Sequence, residues 1–189
     1  MPSTGSHPSR RTALALGVSA ALGTVLPLGA PAHAASGRDD VTARLRELEQ
    51  RHSARMGVYA RNMRTGRTVA YRADERFPMC SLFKTVAVAA VLRDLDQDGE
   101  FLAKRIHYTA AYVKRSGYSP MTDTAKNIAK GMTVAELCDA TICHSDNTAG
   151  NLLLVELGGP TAVTRFCRSI GDGRTRLDRW EPELNSAEP

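Results

Sequence analysis

A serine and a lysine three residues apart are the first residues whose types and spacing could do chemistry. Ser81 and Lys84 frame the only S-x-x-K pattern in the chain, at the predicted start of an apolar helix. Residues three apart share one helix face, so the lysine can reach the serine. Burial and the positive helix end favour a neutral amine, which could accept the proton of the serine. The alternative is that Ser81 caps the helix and Lys84 is a surface lysine.

The second group is Ser145-Asp146-Asn147, in a predicted break between two helices. The Ser145 hydroxyl could relay a proton, and the Asn147 amide could hold a carbonyl group. The same residue types also favour helix caps and turns, so this motif alone leaves both interpretations open.

The third group lies in a polar segment, residues 179–185, which holds the only tryptophan of the chain. Glu181 and Asn185 are four apart and would face one another on a single helical turn. Such a pair could hold a water between a carboxylate and an amide, which is what hydrolysis of an ester needs. Glu183 is out of phase with this face and is expected to play a supporting part. The alternative is a surface loop with a structural tryptophan.

Helices must position most of these residues. Apolar residues at helical spacing and strand-like alternation predict one hairpin and five helices. Thr133 and Glu136 predict a capping box at the start of one helix. The pattern favours a mixed α/β chain that is mostly helical. The predicted strands are 57–60 and 68–71, joined by a turn at 65–67, and the predicted helices are 41–53, 81–95, 133–143, 147–157 and 161–170.

In this order, the three motifs resemble those of the class A β-lactamases. The resemblance spans about residues 41–185 and includes the flanking segments 106–108 and 131–133. It implies an α/β fold of the serine β-lactamase and penicillin-binding-protein type, in which a helical subdomain accompanies an antiparallel sheet covered by helices. It also implies hydrolysis of the β-lactam ring of penicillins and cephalosporins through a serine acyl-enzyme. Such an enzyme confers β-lactam resistance and needs no metal or organic cofactor.

The resemblance assigns catalytic roles by position. Ser81 is similar to the acylated nucleophile and Lys84 to its proton partner. Ser145 is similar to the group that protonates the departing nitrogen. Glu181, with Asn185, is similar to the base that activates the deacylating water.

Two further residues are similar to substrate-binding residues of the family. Asn147 resembles the group that grips the side-chain amide of the substrate. Tyr118 resembles an aromatic residue at the rim of the site. The backbone N–H of Ser81 is expected to form half of an oxyanion hole.

The Lys-Thr-Gly pattern of the family does not occur in the chain. We therefore expect residues 35–189 to be an incomplete catalytic domain, about the first two-thirds of the whole. Alone, this stretch is expected to fold poorly and to turn over little penicillin.

The first 34 residues predict an export signal. Arg10 and Arg11 precede an apolar stretch at 13–28, and a small-x-small pattern follows at 32–34. The paired arginines resemble a twin-arginine signal, and an ordinary secretory signal is the alternative. Both predict an exported protein, secreted or in the periplasm or cell envelope. The apolar stretch is too short and broken for a stable membrane span.

The remaining residues, 35–189, hold 23 basic and 20 acidic residues, a net charge of +3. This excess is too small, and too evenly spread along the chain, to predict nucleic-acid binding. We expect a monomer whose partner is a small-molecule β-lactam. No C-x-x-C or His/Cys pattern predicts a metal site. The pairing of the four cysteines stays open. They are Cys80, Cys138, Cys143 and Cys167. The five-residue spacing of Cys138 and Cys143 argues against a disulfide between those two.

Two rival functions remain. A penicillin-binding carboxypeptidase or transpeptidase shares the serine and lysine but lacks the deacylating glutamate, so the pair of Glu181 and Asn185 argues against it. A non-catalytic exported binding protein with the same fold would form no covalent adduct on Ser81 with any β-lactam.

Overall fold

The computed structural model describes residues 33–186. The predicted export signal therefore lies, apart from its last two residues, outside the described part of the chain. The described residues divide into two compact units, which are residues 33–73 and residues 74–186. The helices are α1 His33–His52, α2 Phe83–Ala90, α3 Ala110–Ser116, α4 Ala125–Lys130, α5 Val134–His144, α6 Asn147–Leu157 and α7 Thr161–Ser169; the strands are β1 Val58–Arg61, β2 Thr68–Tyr71, β3 Arg105–Ile106 and β4 Met132–Thr133.

The first unit consists of α1 and the hairpin of β1 and β2. Both predicted strands are confirmed, and they pair antiparallel with Val58 opposite Tyr71 and Arg61 opposite Thr68. The predicted helix is also confirmed but begins earlier, at His33. Its extension contains Ala34 and Ala35, and alanine has the highest helix propensity of all residues.

A buried carboxylate joins α1 to the hairpin within this unit. Glu49 accepts hydrogen bonds from the Tyr71 hydroxyl at 2.5 Å, the Met56 backbone N–H at 2.7 Å and Arg72 Nε at 3.0 Å. Hydrogen bonds from Met56, Tyr71 and Arg72 lower the pKa of Glu49 to about 2. This cluster fixes the helix against strand β2.

The second unit is built on α2, most of whose apolar residues are buried, whereas Thr85 and Ala89 are exposed. The predicted continuous helix over 81–95 is confirmed, in three parts: a 3-10 turn at Cys80–Leu82, then α2, then a π-helical turn at Val91–Leu95. Val88 and Val91 pack into one apolar cluster with Leu137 and Leu153, on α5 and α6. Phe83 and Ala87 pack into another, with Leu154 and Val163.

Helices α5 and α6 follow the sequence prediction closely. The predicted capping box is confirmed: Glu136 N donates to Thr133 Oγ1 at 3.2 Å, and Thr133 N donates to the Glu136 carboxylate at 2.7 Å. The predicted break is confirmed at Ser145, whose φ of 52° ends α5. This break sets the functional motif between two packed helices.

Several short elements lie outside the sequence prediction. Helices α3 and α4 are seven and six residues long, each capped by a threonine, Thr109 or Thr124. Strands β3 and β4 form a second antiparallel pair of only two residues each. Elements this short carry too little periodicity to be detected. Within the described residues, no helix is both long and apolar enough to cross a membrane.

Candidate active site

The 3-10 turn before α2 places Ser81 beside Lys84, as the spacing predicts. Lys84 Nζ lies 3.4 Å from Ser81 Oγ. Neither alternative for this pair holds, because Ser81 makes no side-chain capping bond and Lys84 is only 2% exposed. A buried amine beside a hydroxyl is arranged for proton transfer rather than for solubility.

Lys84 bridges the three motifs. Its Nζ donates to the Ser145 carbonyl at 2.6 Å, to Asn147 Oδ1 at 2.7 Å and to Ser145 Oγ at 3.2 Å. It also lies 3.3 Å from Glu181 Oε1. Burial lowers the pKa of Lys84, against the opposing effect of the Glu181 and Asp146 carboxylates. The lowered pKa increases the share of neutral amine, the form that accepts a proton.

Asp146 fixes the position of the second motif. This fully buried residue caps α6 by accepting from the Ala149 N–H at 2.8 Å. It also accepts from the N–H groups of Thr122 at 2.9 Å and Met121 at 3.0 Å. A carboxylate with this many donors ties a separate loop to the start of α6, so its neighbours on both sides are held in place.

Asn147 lies inside the site and organises its rim. Its Oδ1 accepts from Lys84, and its Nδ2 donates to the Ser116 carbonyl at 3.0 Å. Its backbone N–H donates to the Tyr118 carbonyl at 2.8 Å. Tyr118 itself is 65% exposed, in keeping with a position at the rim. Both polar atoms of the Asn147 amide therefore already hold the protein together, and any grip on a ligand uses its remaining hydrogen-bonding capacity.

Glu181 enters the site from the segment that follows α7. It is 3% exposed, and Asn185 Nδ2 donates to its Oε2 at 2.6 Å. The two residues thus face one another as predicted, and they bond directly. The other oxygen, Oε1, lies 3.3 Å from Lys84 Nζ. The predicted supporting residue, Glu183, is exposed.

Asn151 is a functional residue that the sequence analysis missed. Its Oδ1 accepts from the Glu181 N–H at 3.0 Å, and its Nδ2 donates to the Glu181 carbonyl at 3.0 Å. This buried amide therefore holds both backbone groups of the glutamate. Asn151 lies four residues after Asn147 and so on the same face of α6, but this spacing does not indicate its backbone partner thirty positions away.

The arrangement suits acyl transfer at a serine. A hydroxyl, a buried amine and a buried carboxylate follow one another within hydrogen-bonding reach, all in the unit 74–186. Among the described residues, no group of three or more histidine, cysteine, aspartate or glutamate side chains is placed to hold a metal ion. The four cysteines are unpaired with one another.

Comparison with known proteins identifies the family. Residues 40–189 match the model of the beta-lactamase enzyme family. The chain belongs to that family. It is 68% identical over its whole length to a beta-lactamase of Streptomyces fradiae and 64% identical to one of Streptomyces lavendulae. The chain spans 62% of the length of each of these curated relatives.

Solved structures of beta-lactamases, class A enzymes among them, have the same fold as this chain. The enzyme of Streptomyces albus G superposes with a TM-score of 0.78 at 63% identity, over 79% of this chain and 56% of the other. An ancestral class A beta-lactamase superposes with a TM-score of 0.72 at 56% identity, over 79% of this chain and 56% of the other. The fold inferred from the motifs is therefore confirmed.

Proposed function

We propose that this chain carries the acylating and deacylating groups of an enzyme that hydrolyses the β-lactam ring of penicillins and cephalosporins and so confers resistance to them. One observation carries the proposal: Lys84 Nζ lies 3.4 Å from Ser81 Oγ and 3.3 Å from Glu181 Oε1. A nucleophile and a hydrolytic base thus share one buried amine. The names of the curated relatives support the same activity.

Acylation begins when Ser81 Oγ attacks the lactam carbonyl. The proton of the hydroxyl passes to neutral Lys84, either directly or through a water and Glu181, whose Oε1 lies 3.3 Å from the amine. The backbone N–H of Ser81 stabilises the oxyanion. The ring C–N bond then breaks. The departing nitrogen takes a proton from the Ser145 hydroxyl, which is replenished by Lys84 across 3.2 Å. The product of this half-reaction is an ester on Ser81.

Deacylation uses the carboxylate. Glu181 Oε1 takes a proton from a water, and the hydroxide equivalent attacks the ester carbonyl while Ser81 Oγ leaves and regains its proton. Asn185 holds the other oxygen, so the carboxylate keeps its orientation. Asn147 and Tyr118 border the substrate, Asn147 through the acylamide group and Tyr118 at the rim.

We further propose that residues 35–189 belong to one catalytic domain and that the protein is exported with residues 1–34 as its signal, by the twin-arginine route. We also propose a monomer acting on a small-molecule β-lactam. No cofactor takes part in the proposed steps.

The test is hydrolysis of a chromogenic cephalosporin by the protein expressed from the complete gene. We expect rapid turnover, loss of that turnover in Ser81→Ala, and no loss in the control Thr85→Ala, an exposed neighbour on α2. Stoichiometric ring opening without turnover would favour a penicillin-binding carboxypeptidase. No reaction in any form would favour a binding protein and contradict the proposal.

A further inference from the structure

The positive charge of the chain is concentrated in one of its two units. Residues 35–73 hold nine basic and four acidic residues, whereas residues 74–189 hold fourteen basic and sixteen acidic residues. The expectation of evenly spread charge is therefore wrong. The first unit carries the whole excess, so an anionic partner would meet this unit and not the one that holds the site.

Much of the charge that no ion pair neutralises lies at the tip of the hairpin. Three acidic side chains of the unit are already occupied by arginines: Asp40 by Arg44, Glu47 by Arg51 and Glu49 by Arg72. No acidic residue occurs between positions 50 and 73. Three exposed arginines around the turn make no ion pair with any described residue; they are Arg61, Arg64 and Arg67. We name residues 61–67 the cationic tip.

The backbone of the cationic tip is fixed. Asn62 Oδ1 accepts from the N–H groups of Arg64 at 3.0 Å and Thr65 at 2.9 Å, and Gly66 N donates to the Asn62 carbonyl at 2.8 Å. Gly66 has a φ of 70°, which a glycine adopts without strain. The turn therefore presents its side chains from a backbone that needs no further ordering when a ligand binds.

The arginines surround the tip. Arg61 is opposite Thr68 in the strand pair, so their side chains share one face of the hairpin. Arg67 directly precedes Thr68, where the strand pair begins, and is exposed. Arg64 lies in the turn itself. Positive charge beside the strand ends and in the turn suits an anionic surface that meets the tip end-on.

An apolar side chain at the end of the tip distinguishes a membrane from a soluble polyanion. Met63 is 85% exposed and stands between two of the arginines. A soluble polyanion would leave its thioether in water, whereas a bilayer would bury it below the phosphate groups. We propose that the cationic tip is a docking site for a membrane surface rich in anionic phospholipid. The exported protein is then held reversibly at the cell envelope.

The attraction is weak and electrostatic. Each arginine close to an anionic membrane strengthens binding by about fivefold. Three arginines give roughly a hundredfold preference for anionic over neutral vesicles at low salt. The preference falls as salt rises, because the screening length shortens from about 30 Å at 0.01 M to about 3 Å at 1 M.

The experiment measures cosedimentation of the protein expressed from the complete gene with vesicles of phosphatidylcholine, with and without phosphatidylglycerol. The test variant is R61Q/R64Q/R67Q. A second variant, Met63→Ser, removes only the apolar side chain. The matched control, R44Q/R46Q/R51Q, changes the net charge equally on exposed positions of α1. Thermal unfolding verifies that each variant is folded.

We expect binding to the anionic vesicles only. The tip variant should bind anionic vesicles roughly a hundredfold more weakly than the parent. Met63→Ser should bind them more weakly at both low and high salt. The α1 control should bind them about as tightly as the parent. The proposal would be overturned if the protein bound anionic and neutral vesicles equally, or if the α1 control lost as much vesicle binding as the tip variant. It would also be overturned if the protein bound soluble polyphosphate more tightly than vesicles and Met63→Ser did not weaken vesicle binding.

Discussion

At the residue scale, the proposed chemistry depends on a buried lysine that contacts the other proposed catalytic groups. Lys84 contacts the nucleophile, the serine of the second motif and the glutamate of the third. Burial lowers its pKa, and the Glu181 carboxylate opposes that effect. The protonation state of the amine therefore depends on whether the carboxylate is charged.

This coupling predicts the pH dependence of acylation. Glu181→Gln removes the negative charge that raises the pKa of Lys84, so that pKa should fall further. Neutral Lys84 then persists to lower pH, and the acidic limb of the acylation rate should move to lower pH. Stopped-flow acylation by penicillin between pH 5 and 9 measures the limb. A limb that moves to higher pH, or stays in place, would show that the lysine does not accept the proton.

The sequence predicts the residues of the site well where a motif is local. Ser81, Lys84 and the pair of Glu181 and Asn185 act over three or four positions, and their predicted contacts exist. Asn151 escapes detection because it bonds to the backbone of a residue thirty positions away. Backbone groups are the same in every residue, so no sequence pattern marks them.

At the scale of elements, helix α6 organises the site. Its N-cap residue, Asp146, binds the separate loop that contains Thr122. Two side-chain amides on one face of α6 hold other parts of the site in place. Asn147 bonds to Lys84 and to the segment before Tyr118. Asn151 clamps the backbone of Glu181. Damage to this face should therefore affect the glutamate more than the serine.

Asn151→Asp tests that clamp. The variant keeps an acceptor for the Glu181 N–H but loses the donor to the Glu181 carbonyl and leaves that carbonyl without its partner. We expect a free energy of unfolding lower by about 1–3 kcal/mol. Deacylation should slow more than acylation, as measured by burst kinetics. Asn127→Asp is the control, since the Asn127 amide on α4 also donates to a backbone carbonyl, that of Met121, and does not contact Glu181. Equal slowing of both steps in Asn151→Asp would contradict the assigned role.

The join between α1 and the hairpin predicts a pH dependence of stability. The pKa of Glu49 is about 2 in the folded chain, against an ordinary value of 4.5. A lowered carboxyl pKa stabilises the folded state above the ordinary value, and this stabilisation is lost as pH falls from about 4.5 towards 2. Glu49→Gln should therefore unfold at a lower temperature near pH 7 and differ less from the parent near pH 2.

Calorimetry at several pH values gives the comparison. Glu47→Gln serves as the control, because its ion pair with Arg51 is exposed and worth little. A constant difference between Glu49→Gln and the parent at every pH would mean that the charge of the carboxylate contributes nothing.

The sequence predicts the longer elements and misses the shortest ones. Periodicity and a capping box locate α5 and α6 to within a residue or two. Strands β3 and β4 exist only because residues 105–106 pair with residues 132–133. Such pairing depends on the path of the chain between residues 106 and 132, which local sequence patterns do not determine.

At the scale of the whole molecule, chemistry and charge are separated. The proposed catalytic groups lie in the unit 74–186, and the excess of basic residues lies in residues 35–73. Variants of the cationic tip should therefore leave turnover of a chromogenic cephalosporin unchanged. The chain spans 62% of the length of its Streptomyces fradiae relative, so measurements of activity belong on the product of the complete gene.

Time-resolved intact-protein mass spectrometry of the complete gene product mixed with benzylpenicillin shows most directly whether Ser81 and Glu181 act as proposed. We predict a short-lived adduct on Ser81 in the parent protein, a long-lived adduct in Glu181→Ala and none in Ser81→Ala. An adduct that decays equally fast without the glutamate, or one that forms on another residue, would contradict the proposed mechanism.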